Sequence, residues 1–165
     1  MKKSVLSILL GSALLLAGCG APKQLSKTDT GRFQYELEGV SNGSQGTYLV
    51  KVWTYSSSKT ANIETCKKNA VHGIIFKGYA AGNNIRPQGP LVKDPGAESV
   101  YADYFNNFFK DGGEYNRYVT VTSGTQETVK VGKRYKVGLV VSVSKDQLRK
   151  TLEAAGIVKS LGYGF

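Results

Sequence analysis

Tyr135-Lys136-Val137-Gly138-Leu139-Val140-Val141-Ser142-Val143 is the stretch that decides the fold. Tyr135, Val137, Leu139, Val141 and Val143 recur at alternate positions, so one face of an extended segment is apolar from end to end, as in a strand covered on one side. Upstream, Val129 and Val131 lead into the turn Gly132-Lys133. Downstream, Ser144-Lys145-Asp146-Gln147 has capping-box form, and Leu148, Leu152 and Ala155 mark the buried face of a helix. Gly156 followed by Ile157 predicts a left-handed C-cap with its hydrophobic contact.

The same alternation recurs earlier. Phe33, Tyr35 and Leu37 alternate with Gln34, Glu36 and Glu38, and Tyr48, Val50 and Val52 alternate with Leu49, Lys51 and Trp53. The turn-rich Ser41-Asn42-Gly43-Ser44-Gln45-Gly46 between them predicts a hairpin. Ser56, Ser57, Ser58 and Thr60 offer N-cap oxygens before Ile63, Cys66, Ala70, Val71 and Ile74, whose spacing draws one face of a helix. A loop is expected from Gly78 to Gly96. Val100, Tyr101, Tyr104, Phe105, Phe108 and Phe109 then form a second helical stripe, read as core, which Gly112-Gly113 ends. Tyr118, Thr120 and Thr122 alternate with Val119 and Val121 in a further strand that Gly124 breaks. This order predicts a single α+β domain, a mainly antiparallel sheet of about four strands with two or three helices packed on one face. The aromatic C-terminus Phe165 is similar to the closing signal of outer-membrane barrels, but the alternating strands are too few for one.

The N-terminal end carries a different pattern. Lys2 and Lys3 precede an apolar run from Val5 to Leu16 that ends at the small Ala17 and Gly18, the tripartite form of a secretory signal. The run is shorter than the roughly 20 apolar residues of a spanning helix. Leu16-Ala17-Gly18-Cys19 resembles the bacterial lipobox. That resemblance implies a diacylglycerol on the Cys19 thiol, cleavage between Gly18 and Cys19, and an acylated Cys19 as the mature N-terminus. A thiolate is the nucleophile such a transfer needs. Each buried methylene contributes about 0.8 kcal/mol, and two or more acyl chains hold stably where one does not. Gly20 in place of Asp implies, by the sorting rule of the enteric lipoproteins this segment resembles, export to the outer membrane, and the lack of an acidic run after Cys19 favours its periplasmic face over surface display. The expected organisation is a signal peptide over 1–18, a flexible tether over 19–31, whose Lys, Ser, Thr and Pro cannot bury enough surface to order, and the α+β domain over 32–165. Cys66-Lys67-Lys68-Asn69-Ala70-Val71-His72-Gly73-Ile74-Ile75-Phe76 and Leu152-Glu153-Ala154-Ala155-Gly156-Ile157-Val158-Lys159-Ser160-Leu161 resemble uncharacterised small lipoproteins of Bacteroidota, which implies an envelope location and transfers no catalytic motif.

Of the chain's 165 residues, removal of 1–18 leaves 147, and loss of Lys2 and Lys3 leaves 20 basic residues against 12 acidic, or +8 in place of +10. That length suits one domain. The excess is scattered, with Lys67-Lys68, Lys133-Arg134 and Arg149-Lys150 its longest clusters, so nucleic acid is not an expected partner. Anionic lipid and acidic envelope polymers suit such a charge better. With Cys19 acylated, Cys66 has no disulfide partner within the chain and reads as a small buried hydrophobe.

Chemistry-bearing constellations are sparse. His72 is the single histidine, and no nucleophile-elbow motif accompanies it. The ligand count fails for zinc. Glu36 and Glu38 share a strand face and read as a solvated edge rather than a glycosidase dyad. Gly78-Tyr79-Ala80-Ala81-Gly82 lacks the Gly-Lys-Ser/Thr ending of a P-loop. No catalytic residue, metal or cofactor is therefore expected. The candidate binding segment is the loop Asn83 to Pro95, long and limited by Pro87, Pro90 and Pro95, with Arg86, Gln88 and Lys93 as its contact residues. The leading expectation is a non-enzymatic, lipid-anchored module that binds or assembles other envelope proteins. The alternative is a binder of peptidoglycan or acidic polysaccharide, and a hydrolase using His72 comes third.

Overall fold

The computed structural model describes residues 34–44, 46–82, 85–122 and 126–160. The signal segment, Cys19, the tether, Phe33, Asn83 and Asn84 of the candidate loop, Gly124 and the C-terminal residues 161–165 lie outside them. In chain order the elements are β1 (Tyr35–Asn42), β2 (Tyr48–Ser56), α1 (Ile63–Phe76), α2 (Ala97–Val100), α3 (Ala102–Phe108), a 3₁₀ helix (Glu114–Tyr118), β3 (Val119–Val121), β4 (Glu127–Val131), β5 (Arg134–Val143) and α4 (Lys145–Ala154).

The stretch of strongest alternation becomes the strand that organises the sheet. β5 runs antiparallel to β2 along one edge, from Tyr135 beside Ser56 to Val143 beside Tyr48. Its other edge takes β4 at Arg134 to Gly138 and β3 at Val141 to Val143. The predicted hairpin of β1 and β2 completes an antiparallel sheet with strand order β1-β2-β5, then β3 and β4. Five strands stand where about four were expected, because Val129 and Val131 belong to a strand of their own. β3 is shorter than its alternation suggested: Tyr118 ends the 3₁₀ helix instead.

Tyr35, Leu37, Val50, Val52, Val137, Leu139, Val141 and Val143 are buried on the inner face. Each valine or leucine withdrawn from water stabilises the fold by roughly 1.5–3 kcal/mol. α1 packs there. Its N-cap is Asn62, whose Oδ1 accepts from the Thr65 N–H at 3.0 Å. The serines expected in that role act earlier, as Ser56 Oγ accepts from Ser58 N and Ser58 Oγ from Thr60 N. Ile63, expected to open the buried face, is 54% exposed. Asn69 to Ile75, in contrast, are buried without a break, because α1 has the sheet on one side and aromatic rings on the other. Phe76 meets Phe105 at 4.8 Å between centroids, and His72 meets Phe109 at 5.7 Å. A side chain at Gly73 would collide with Leu37 and lie 3.0 Å from the Tyr35 ring, so the glycine lets α1 press onto β1.

The aromatic stripe is core, as expected, but it comes from two short helices broken at Tyr101. Phe105, Phe108 and Phe109 are buried, while Val100, on the separate first helix, is 73% exposed. Ser144 is the N-cap residue of α4, yet its side chain makes no capping bond; its backbone N–H donates to Tyr118 O. The C-cap follows expectation, with Gly156 at φ +72° and Ile157 N–H donating to Leu152 O. Among the described residues no helix is long and apolar enough to cross a membrane.

Candidate functional site

With the valines turned inward, alternation sends Lys51, Trp53 and Tyr55 of β2 to the opposite side of the sheet. Register assembles the neighbours. Glu36, Trp53, Gly138 and Glu127 form one row across four strands; Tyr55, Lys136 and Val129 form the next; Glu38, Lys51 and Val140 flank the first on its other side. Among the described residues the helices pack against the inner side, and none of them lies on this outer face.

Trp53 occupies its centre. Glycine stands at 138, and a Cβ there would come within 2.7, 2.8 and 3.0 Å of Trp53 Cζ3, Cε3 and Cη2, so the benzo ring rests on the β5 backbone. The indole Nε1–H donates to Glu38 Oε2 at 3.2 Å, which fixes its orientation. Lys51 Nζ and Lys136 Nζ stand 5.4 and 5.1 Å from its centroid, within cation–π range. Each ammonium also has a carboxylate partner, Lys51 with Glu127 at 2.6 Å and Lys136 with Glu36 at 2.7 Å. Tyr55 donates to Glu36 Oε1 at 3.0 Å, and the Arg134 guanidinium lies 5.9 Å from the Tyr55 ring. The hydrogen bond from Lys136 holds the Glu36 carboxyl below its usual range, helped by that from Tyr55 and by the charge of Lys136, against a smaller effect of burial. Glu36 and Glu38 thus share a face, as the sequence indicated, and both are tied to aromatic partners. Trp53 and Tyr55 were not singled out as site residues. The signal was present in Lys51-Val52-Trp53-Thr54-Tyr55, where large aromatics fall on the side that the valines leave.

The loop residues sit elsewhere and do not converge. Arg86, Gln88 and Lys93 are all exposed. Gln88 pairs its backbone with Tyr79, and its Oε1 accepts from Tyr48 at 3.4 Å. Lys93 lies past Val92, which is buried and bonds through its N–H to Ile75 O. Among the described residues no hydrogen bond or ion pair links any two of the three. Leu91 and Val92 pack on the core, so this part of the loop is an anchored connector.

His72 acquires partners that its neighbours in sequence did not announce. Its Nδ1 lies 2.5 Å from the Tyr35 hydroxyl and its Nε2 3.0 Å from Glu98 Oε1, joining α1 to β1 and α2. The ring is 3% exposed, between Phe76 and Phe109. Burial, and after it the Glu98 carboxylate, drives the Tyr35 phenol well above its ordinary pKa. Lys77 Nζ stands 4.1 Å from the Tyr35 centroid, and burial lowers its ammonium pKa against the opposing pull of Glu98. So a carboxylate and a hydroxyl are within reach of His72, and the three groups tie α1 to β1 and α2. Cys66 is fully buried beside Thr54, and desolvation raises its thiol pKa. Among the described residues no group of three or more His, Cys, Asp or Glu could hold a metal ion.

No protein family, curated protein or solved structure matches this chain.

Proposed function

We propose that this chain is a lipid-anchored, non-enzymatic binding module of the bacterial cell envelope, tethered through Cys19 to the outer membrane and presenting the open face of its sheet to an envelope component. The observation that carries the reading is the Trp53 platform: an aromatic ring seated on a glycine and rimmed by charged side chains, on the side of the sheet away from the core. Large aromatics on a solvent face add nothing to the packing of the core and offer contact area to a partner. Arg86, Gln88 and Lys93, exposed but dispersed, make a weaker case for the loop.

Two measurements test the reading. Cys19→Ala should leave the protein at its unprocessed size and absent from the outer-membrane fraction; retention in the membrane fraction at the processed size refutes the anchor. A photo-crosslinking residue at Val129, half exposed on the open face, should capture envelope material in intact cells, while the same residue at Lys150, exposed on α4, should not. Capture only from position 150 refutes the choice of face.

A further inference from the structure

The chemistry of the open face narrows what it can hold. We propose that the Trp53 platform stacks the pyranose rings of an uncharged, β-linked glycan of the hexose or N-acetylhexosamine class, laid along β2 toward Tyr55. This rests on the reading of that face as the binding surface.

Three observations carry it. The first is shape. Trp53 presents one ring face to β5 through the gap that Gly138 leaves, so a flat ligand meets the ring from its outer side, where the Lys51 and Lys136 ammonium groups stand 5.4 and 5.1 Å from its centroid and swing aside to its edge. A pyranose has a face of axial C–H bonds with slight positive character, the complement of the negative face of an indole. Tyr55 stands two residues further along the same strand face, about 7 Å away, and supplies a second ring for a second sugar.

The second is the rim. A sugar edge is a ring of hydroxyls that donate and accept at once. Around Trp53 the carboxylates of Glu36, Glu38 and Glu127 accept, and the ammonium groups of Lys51 and Lys136 donate. Protein interfaces differ at this point: their buried centres are depleted in charge, whereas every polar neighbour of Trp53 named here is ionic.

The third is charge balance. Lys51, Arg134 and Lys136 stand against Glu36, Glu38 and Glu127, and the two lysines are already paired. An acidic polymer laid here would meet three carboxylates and would have to break both pairs. A neutral chain meets no like charge there, and Val129 beside Lys136 offers an apolar contact to an acetamido methyl.

Trp53 is the one tryptophan of the chain, so intrinsic tryptophan emission reports this site alone. The full chain in detergent should show a saturable change in that emission on titration with the β-1,4-linked tetramer of N-acetylglucosamine, with an affinity that differs less than about twofold between low and high salt. Trp53→Ala should abolish retention on the insoluble polymer of the same sugar while keeping a cooperative thermal transition. Tyr55→Ala should weaken tetramer binding by roughly 3- to 10-fold, the loss of one aromatic stacking contact. An unchanged emission up to millimolar sugar overturns the proposal. So does binding to an acidic polymer alone, such as polygalacturonate, that disappears at high salt. If the face captures a protein at Val129 and no glycan binds, the glycan is wrong and the binding face stands. If neither is found, both fall.

Discussion

Replacing Gly138 by Ala tests the platform without touching the indole itself. Alanine in a strand ordinarily gains about 0.5–1 kcal/mol over glycine, because glycine loses more backbone freedom on folding. Here the new methyl would sit 2.7 to 3.0 Å from three carbons of the Trp53 ring. Relaxed carbon contacts lie near 3.5–4.0 Å, so the ring must lift by about 1 Å. The Nε1–H to Glu38 bond already spans 3.2 Å, and a lift of that size takes it beyond hydrogen-bonding range. Losing a half-exposed bond to a carboxylate costs about 1 kcal/mol, and losing the contact with the β5 backbone costs about as much again. The net expectation is a destabilisation of about 1 kcal/mol, with the native emission of Trp53 shifted to longer wavelength as the ring enters water. Urea unfolding followed in parallel by tryptophan emission and far-ultraviolet circular dichroism measures both. A variant more stable by about 0.5–1 kcal/mol, with native emission unchanged, would show that Trp53 does not rest on Gly138 and would remove the basis of the platform.

Further outcomes follow from the core. Gly73→Ala gains about 1 kcal/mol of helix propensity but drives a methyl into Leu37 and toward Tyr35, both buried; overpacking costs about 1–3 kcal/mol, so the thermal midpoint should fall, and a rise would contradict the packing of α1 on β1. The Tyr35 phenol pKa is raised in the folded state and ordinary in the unfolded one. Its contribution is therefore complete below pH about 10 and is lost as pH climbs past that value. The urea midpoint should decline from pH about 10 upward, less steeply in Tyr35→Phe, and equal slopes in the two proteins would refute the assignment. Tyr104, pushed up to about 12 by burial and then by Glu114 and Tyr118, adds to the same decline in both. In a Cys19→Ala chain the remaining thiol, Cys66, is buried with a raised pKa, so a thiol reagent should label it only at the rate of unfolding; rapid labelling of the native protein would be inconsistent with its place under β2.

Legibility tracked the range of the interaction. The strands that alternate over many residues, β1, β2 and β5, and the helix α4 with its glycine cap were readable because their pattern is local and one-sided. α1 was readable as a helix, yet its cap was not: Ser56, Ser57, Ser58, Thr60 and Asn62 all carry capping oxygens, and only the exit of β2 decides which one faces the first turn. The aromatic stripe promised one helix because its period continues across Tyr101, whereas the chain breaks there to lay Phe105 and Phe109 on α1. The partners of His72 lie 37 and 26 residues away. No spacing rule connects such distant groups. The same is true of the open face, since Trp53 was visible as an outward residue but the glycine beneath it and the carboxylates around it come from three other strands.

The cost of building that face argues for a use. A glycine in the interior of a strand forfeits about 0.5–1 kcal/mol, and β5 is the strand on which the sheet depends. Valine at 138 would continue the pattern of its neighbours and strengthen the pairing with β2. An exposed position opposite, filled by Lys or Thr in place of Trp53, would serve solubility as well. Glycine and tryptophan are each a poor choice alone, and together they form one object, a ring laid flat on a sheet. Local rules broken jointly, without gain to the core, mark the places where a sequence answers to something other than its own stability. Here the break is confined to the face that points away from the core, and the groups around it, balanced between donors and acceptors, are those the proposed glycan would require.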